Sequence, residues 1–304
     1  MILKFVDRIS NNIKKKKFKS ETKRILQNKN LKTSKKKNKY PQSGFFNYDY
    51  NYKPKTSFIF ANFMAEKTLL RSIKNLDSIR EDIEIIVMHD RVKLSPELNN
   101  SLKNSNDLIV CSKDLGETQS YINGAKLSRA SDFLIFCQSD DLIPANSAWY
   151  NDCLREFKKD RKLGLISLNG GGYFNKKLDE IDYSRIKKKP IKELCIWLKF
   201  GPFVVRKDLY FKIGGFKHMS LIGEAGGYTD HYFSLEILKA GFKSMLLINK
   251  NTDEWIRRND RDDGFEKIDL VKNTLRSKSF IENKKNFLKK AKKDILKLQI
   301  KFKK

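Results

Sequence analysis

Cysteine is scarce in this chain of 304 residues and follows no metal-binding pattern. Cys111, Cys137, Cys153 and Cys195 lie far apart with no C-x-x-C pair, so zinc-ligand spacing is absent. Free thiols of this kind fit a reducing, cytosolic compartment. No apolar run approaches the roughly 20 residues that a membrane-spanning helix needs. Lys4, Asp7 and Arg8 interrupt any apolar signal-peptide core at the N-terminus. Neither G-x-G-x-x-G nor a P-loop lysine motif follows the first expected strand, where Ala61-Asn62-Phe63-Met64 stands instead. That argues against a dinucleotide dehydrogenase and a P-loop NTPase. It also argues against a sugar-phosphate nucleotidylyltransferase, which expects a Gly-rich loop bearing Arg or Lys at that place.

Acidic residues are scarce mainly at the two ends. The formal charge is +28. Residues 1–56 carry a net +14 and residues 265–304 a net +10, which leaves only +4 on residues 57–264. The middle therefore has an ordinary charge balance and, with 39% hydrophobic residues in the whole chain, enough apolar material for a core. The basic ends would attract a polyanion: anionic lipid, nucleic acid or an acidic glycan. A coding bias towards Lys, Asn and Ile accounts for the same excess equally well.

Organisation follows the charge. Ile2, Phe5 or Val6, Ile9 and Ile13 sit at helical spacing ahead of Lys14 to Lys17, a pattern for a basic amphipathic helix at a membrane interface or on the domain surface. Residues 19–56 read as a linker, first Lys/Asn/Ser-rich and then aromatic. From residue 57 apolar strands alternate with amphipathic helices. Residues 57–60, 83–88, 108–111, 133–136 and 163–168 predict strands. Residues 69–76, 118–128 and 149–159 predict helices. This alternation argues for a layered α/β fold with a largely parallel sheet, whose ligands bind outside the carboxyl ends of the strands. Past Gly264 the chain is again helical and basic, with Leu288, Ile295, Leu298 and Phe302 as candidate apolar positions. The expected division is a basic N-terminal helix and linker over 1–56, an α/β domain over 57–264 and a basic helical tail over 265–304.

Chemistry concentrates in Cys137-Gln138-Ser139-Asp140-Asp141-Leu142-Ile143-Pro144, where the 133–136 strand emerges. Two adjacent carboxylates repel unless a cation or hydrogen-bond donors neutralise them. A hard divalent ion takes oxygen ligands and can hold a diphosphate at the same time. A solvated turn closed by Pro144 is the plainer alternative. Thr229-Asp230 opens a helical run, where either side chain suits an N-cap.

Several segments in order resemble the nucleotide-sugar glycosyltransferases of the GT-A fold, family 2 in the sequence-based classification. Residues 57–63 resemble that family's opening strand. Val87-Met88-His89-Asp90 resembles its second strand with a terminal acid, and Asn123-Gly124-Ala125 its "R-N-x-G" helix segment. Gln138-Ser139-Asp140-Asp141 resembles its D-x-D element, with Gln138 in the first acidic place. Gly201 to Lys207, continued by Gly214-Gly215-Phe216, resembles the segment ending in "GGF". Gly227-Tyr228-Thr229-Asp230-His231-Tyr232 resembles "g-E-D-x-D", with Thr229 and Tyr232 in the two outer acidic places.

The resemblance covers about residues 57–250. It implies a three-layer α/β/α sandwich with a mostly parallel central sheet, flanked here by basic helical ends. It implies Asp140 and Asp141 as ligands of Mn²⁺ or Mg²⁺, and Asn62, Asp90, Asn123 and Asp140 as the nucleotide-sugar-binding residues. Asp230 is the expected catalytic base, with direct displacement and inversion at the anomeric carbon. Trp197, Gly226 and Gly227 fall where the acceptor binds, although core packing is the alternative for Trp197. The expected partners are a nucleoside diphosphate sugar, a glycan or lipid-linked acceptor and an anionic membrane surface. The expected place is the cytoplasm or the inner membrane face. Two other functions stay open: a catalytically silent nucleotide-sugar-binding domain, suggested by Gln138 and Thr229, and a nucleic-acid-binding protein acting through its tails. The second is disfavoured by a core carrying only +4.

Overall fold

A computed structural model of the chain describes residues 53–62, 65–89, 95–102, 107–111, 116–168, 170–174, 181–182, 191–199, 201–216, 229–252, 256–257 and 285–297. The expected helix over 2–18, most of the 19–56 linker, and Asp90, Gly226 and Gly227 lie outside the described residues.

Strand β1 (Thr56–Asn62) leads to helix α1 (Glu66–Asn75), a 3₁₀ turn (Asp77–Asp82) and β2 (Ile83–His89). Then come α2 (Pro96–Ser101), β3 (Leu108–Cys111), α3 (Glu117–Leu127), β4 (Phe133–Gln138) and the short β5 (Asp141–Leu142). Helix α4 (Ala148–Lys159) precedes β6 (Leu163–Ser167), β7 (Gly171–Phe174), β8 (Ile181–Asp182), β9 (Ile191–Cys195) and β10 (Trp197–Leu198). Strand β11 (Phe203–Arg206), α5 (Lys207–Lys212), α6 (Thr229–Lys239), β12 (Lys243–Ile248) and β13 (Ile256–Arg257) follow. A last helix, α7, spans 285–297.

Eight strands form one sheet in the order β3-β2-β1-β4-β11-β6-β12-β9. Strands β11 and β9 pair antiparallel with their neighbours, and the other strands share one direction. Successive side chains of a strand point to opposite faces, and here both faces are apolar. Phe58 and Phe60 of β1 join one cluster with Leu69 and Ile73 of α1 and Trp149, Tyr150, Cys153 and Phe157 of α4. Ile59 points the other way, into a cluster with Tyr121 and Ala125 of α3, Leu209 and Tyr210 of α5, and Phe233 and Ile237 of α6. The result is the expected sandwich of helices, mostly parallel sheet and helices.

Two details position the carboxyl edge of the sheet. A Cβ on Gly124 would stand 2.3 Å from Ile59 Cγ2, so glycine lets α3 press directly onto β1. After α5 the chain turns at Gly214-Gly215, where Gly215 N–H donates to Tyr210 O at 2.7 Å. Phe216 then drops into the core against Phe233 and Phe136, with ring centroids 4.5 and 4.9 Å away. Burying a Phe side chain contributes about 1.5–3 kcal/mol, enough to anchor the start of the segment that leads to α6. The 214–216 motif thus has a packing role.

Helix α7 docks on the outside of α6. Phe287, Ala291 and Ile295 are buried with Trp197 and Leu235 in a third cluster. Spacing of four residues puts these three on one helical stripe. Lys239–Asp294 at 3.6 Å and Lys290–Glu236 at 3.7 Å flank it.

Candidate functional site

Strands β1, β2 and β4 end together. Asn62 stands opposite His89, and Ala61 opposite Gln138. The Asn62 side-chain amide donates to His89 Nδ1 at 2.8 Å. That bond leaves the ring proton on Nε2, which faces Glu66 Oε1 at 3.8 Å. The buried Asn62 Oδ1 has no partner among the described residues. A buried acceptor left in that state calls for a ligand or water.

Beyond β4 the chain turns through Ser139 and Asp140 into β5. Asp140 and Asp141 are 7% and 3% exposed. Gln138 N–H donates to Asp141 Oδ2 at 3.2 Å. Gly201 faces the same oxygen: its φ is +83°, and a Cβ there would stand 2.6 Å from Asp141 Oδ2. A residue with a side chain would be strained in that backbone conformation and would collide with the carboxylate. Helix α1 pins the turn from below. Ser72 Oγ donates to Asp141 O at 3.0 Å and accepts from Ile143 N–H at 3.1 Å. Strand β13 pairs antiparallel with β5 and sets Arg257 opposite Asp141 in register.

A third acid joins these two, one that sequence reasoning missed. Glu117 opens α3, and its Oε1 accepts from the Gln138 side-chain amide at 2.7 Å and from the Tyr121 hydroxyl at 3.1 Å. Part of its surface reaches solvent, but protein surrounds the carboxyl. Burial pushes the Glu117 pKa up to about 7. Its two hydrogen bonds oppose that shift, while the charges of Asp140 and Asp230 add to it. Glu117 therefore lies within electrostatic reach of both the β4–β5 turn and the start of α6. An acid in the first turn of a helix ordinarily serves the helix dipole, so its position alone gave no signal. The available clue was the neutral Gln138 in an acidic place, which leaves room for a carboxylate beside it.

Asp230 lies in the first turn of α6, with Thr229 as the helix's first residue. Its Oδ1 accepts from the backbone N–H of His231 at 2.9 Å and lies 2.6 Å from His231 Nδ1. The backbone bond runs to the next residue, not to the N–H two or three residues on that an N-cap takes, and the ring contact is additional. The His231 ring stacks on Trp197, with centroids 4.2 Å apart and planes 9° apart. Phe287 meets the same ring at 5.4 Å and 75°. Ser234 Oγ donates to Asp230 O at 2.9 Å and accepts from Leu198 N–H at 3.0 Å, which ties α6 to β10.

The remaining sites are placed as follows. Asn123 is wholly buried, and its Oδ1 accepts from Gln119 Nε2 at 2.7 Å. Its Nδ2 has no partner among the described residues. Trp197 is wholly buried between Gly172 and His231, which is the packing alternative. Asp90, Gly226 and Gly227 are among the residues not described. Among the described residues no group of three or more His, Cys, Asp or Glu side chains could hold a metal ion. Asp140 and Asp141 are a pair of hard oxygen donors. That set fits Mg²⁺ or Mn²⁺ only as an ion that draws its other oxygens from water and a diphosphate.

No protein-family model matches the chain, and no curated protein matches it in sequence. Solved structures do. Residues 1–349 of TarS from S. aureus align at 15% identity and a TM-score of 0.46, over 64% of this chain. The complex of TarS 1–349 with UDP aligns at 15% identity and a TM-score of 0.45. The mannosyltransferase PcManGT from Pyrobaculum calidifontis, in complex with GDP-Man and Mn²⁺, aligns at 12% identity and a TM-score of 0.46. That alignment covers 80% of this chain and 68% of PcManGT. The chain spans 57% of the length of TarS 1–349. Likeness at this level assigns no activity to the chain.

Proposed function

We propose that the chain is a glycosyltransferase that moves a sugar from a nucleoside diphosphate sugar to a hydroxyl acceptor, with inversion at the anomeric carbon. One observation carries the reading. Asp140 on the β4–β5 turn and Asp230 on α6 come from elements far apart in sequence, yet both act on the Glu117 carboxyl. They share the carboxyl edge of a largely parallel sheet, where such folds bind ligands.

Each group has a task. Asp140 and Asp141 hold the divalent ion, and Gln138 N–H with Gly201 fixes the Asp141 carboxylate. The ion, when bound, offsets the negative charge that builds on the departing diphosphate. Asn62 Oδ1 and Asn123 Nδ2, both buried and without partners among the described residues, suit an acceptor and a donor for the nucleotide sugar. Asp90 extends that donor site. Asp230 takes the proton of the acceptor hydroxyl as it attacks the anomeric carbon. One base with no protein nucleophile makes the reaction a single displacement. The segment holding Gly226 and Gly227 leads into α6 and is the natural place for the acceptor. Trp197 acts from behind, by packing on His231.

The acceptor we assign is a glycan or a lipid-linked glycan at an anionic membrane face, in the synthesis of a surface polysaccharide. Helix α7 supports this. Lys285, Lys289, Lys292 and Lys293 are exposed on the side away from its buried stripe, around an exposed Leu296. Clusters of exposed lysine are drawn to anionic lipid. Among the described residues no helix is long and apolar enough to cross a membrane.

A panel of UDP-, GDP- and dTDP-sugars with Mn²⁺ tests the proposal, read as thermal stabilisation and as release of nucleoside diphosphate. The wild type should be stabilised only when metal and one nucleotide are both present. Asp140→Asn should lose that response. Asp230→Asn should keep it and lose turnover by 10²-fold or more, on the order of what a general base contributes. No metal-dependent nucleotide binding by the wild type would sink the reading. Gln138 in an acidic place favours a second reading, a silent nucleotide-sugar-binding domain. Binding without turnover on any acceptor would select it.

A further inference from the structure

The ring of His231 is gripped on two sides. Trp197 from β10 lies flat against it at 4.2 Å, and the edge contact with Phe287 from α7 comes at 5.4 Å. Phe287 also meets Tyr232, the next residue of α6, at 5.0 Å and 86°. Lys290 reaches over the Tyr232 ring at 5.2 Å and to Glu236 at 3.7 Å. Both Trp197 and Phe287 are fully buried, so neither ring is a loose surface contact. Their backing is built in as well. A Cβ on Gly172 would stand 2.8 Å from the Trp197 ring, so the indole is pressed against bare backbone and cannot retreat.

What the clamp holds is the Asp230 carboxylate. His231 Nδ1 and His231 N both engage Oδ1, at 2.6 and 2.9 Å. A carboxylate only accepts, so the ring Nδ1 must carry the proton. Two donors on one oxygen set the plane of the carboxylate. They also fix the direction of the second oxygen.

We propose that His231 is a positioning residue for Asp230, and that α7, through Phe287, is a working part of the sugar-transfer site. The chain of contact runs from Phe287 to His231 to Asp230, with Trp197 as the fixed wall behind. The basic terminal region is then coupled to chemistry in the core through one aromatic contact. This rests on Asp230 being the base, as proposed above. The clamp itself stands on geometry alone.

The test has two independent readouts in the full-length chain. One is the side-chain nitrogen and Cε1–H spectrum of His231, one of three histidines in the sequence, assigned by its loss in His231→Asn. The wild type should show an Nδ1–H tautomer, a slowly exchanging ring proton and a Cε1–H signal displaced by the flanking rings. Phe287→Ala should speed that exchange and move the signal towards its position in Asp230→Ala, the released reference. Phe287→Leu keeps the apolar volume without the ring and should behave like Phe287→Ala, even if the latter is too unstable to measure.

The other readout is kinetic, on whichever nucleotide sugar the panel selects. Phe287→Leu and His231→Ala should lower kcat about ten- to a hundredfold, as misplacement of a reacting group by about 1 Å does, with little change in KM for the donor. His231→Asn, whose Nδ2 stands where Nδ1 stood, should recover part of the loss. Unaltered His231 signals in Phe287→Leu overturn the proposal whether or not the chain turns over a sugar. If no donor is turned over, the transferase reading falls and the spectra alone decide the clamp. If the signals move but kcat does not, α7 is packing only and the proposal fails.

Discussion

Glu117 shows how a single side chain can carry the charge balance of a site. Its ordinary carboxyl value is 4.5, and burial with two acidic neighbours takes it to about 7. The native state therefore holds a proton that the unfolded chain gives up. Stability from this group is fully present below about pH 4.5 and is lost as pH rises through about 7. Glu117→Gln keeps an acceptor for the Gln138 and Tyr121 bonds but has no charge to bury. Between these pH values the wild type should lose stability relative to Glu117→Gln, at no more than about 1.4 kcal/mol per pH unit. Urea midpoints of the two proteins at pH 4.5, 6 and 7.5 measure it. Asp107 is also raised, to about 6 by burial beside Arg80, but it is common to both proteins and cancels. Parallel pH profiles would mean that Glu117 is not under this strain.

At the scale of elements, packing of helices on the sheet is the vulnerable feature. Gly124→Ala places a methyl 2.3 Å from Ile59 Cγ2 and 3.3 Å from Met88 Cγ. Overpacking of this kind costs about 1–3 kcal/mol. Because α3 carries Glu117 at its start, a shift of the helix should also weaken metal-dependent nucleotide binding. Calorimetry and nucleotide titration of one variant read both effects, and an unchanged melting temperature would contradict the close packing. Strands β1 to β4 and β6 and helices α1, α3 and α4 were legible in the sequence, whereas the short strands β5 and β7 to β10 and the later strands β11 to β13 were not singled out. Continuous apolar runs in β1, β2 and β4 marked strands buried on both faces, and the turn bearing Asp140 and Asp141 emerged where expected.

Three things were not legible, for physical reasons. Strand β11 reverses direction inside the sheet, and side-chain period says nothing about direction. On α7 the expected Ile295 is buried and Leu288 packs against the same cluster, but the central positions Phe287 and Ala291 were not singled out, and Leu298 and Phe302 lie beyond the described residues. Alanine carries little hydrophobic signal, and which stripe is buried depends on the partner helix. Glu117 was hidden because its meaning comes from Gln138, Asp140 and Asp230 brought in from other elements.

The whole molecule separates charge from chemistry. The site lies in a domain that is nearly balanced in sign, while the basic charge sits at the ends, and α7 brings part of that charge onto the folded body. Four of its exposed lysines, at 285, 289, 292 and 293, flank Leu296 on the outward side, so neutralising them should leave the fold intact. Surface substitutions away from special features usually change stability by less than about 0.5 kcal/mol each. Each basic residue near an anionic bilayer contributes about 1 kcal/mol. Replacing all four by Gln should then reduce binding to phosphatidylserine-containing vesicles by about a hundredfold or more, with the melting temperature nearly constant. Sedimentation of the wild type and the quadruple variant with vesicles measures the difference, and raised salt should weaken the wild type towards the variant. Equal binding by both would remove α7 from the membrane contact. A loss seen with single-stranded RNA, but not with vesicles, would move the basic surface to the nucleic-acid reading. Because Phe287 lies on the same helix against His231, a vesicle-bound α7 holds the Asp230 end of the site close to the lipid surface. That is where a lipid-linked acceptor would present its hydroxyl, so addition of vesicles should raise turnover on such an acceptor in the wild type and leave the quadruple variant unchanged.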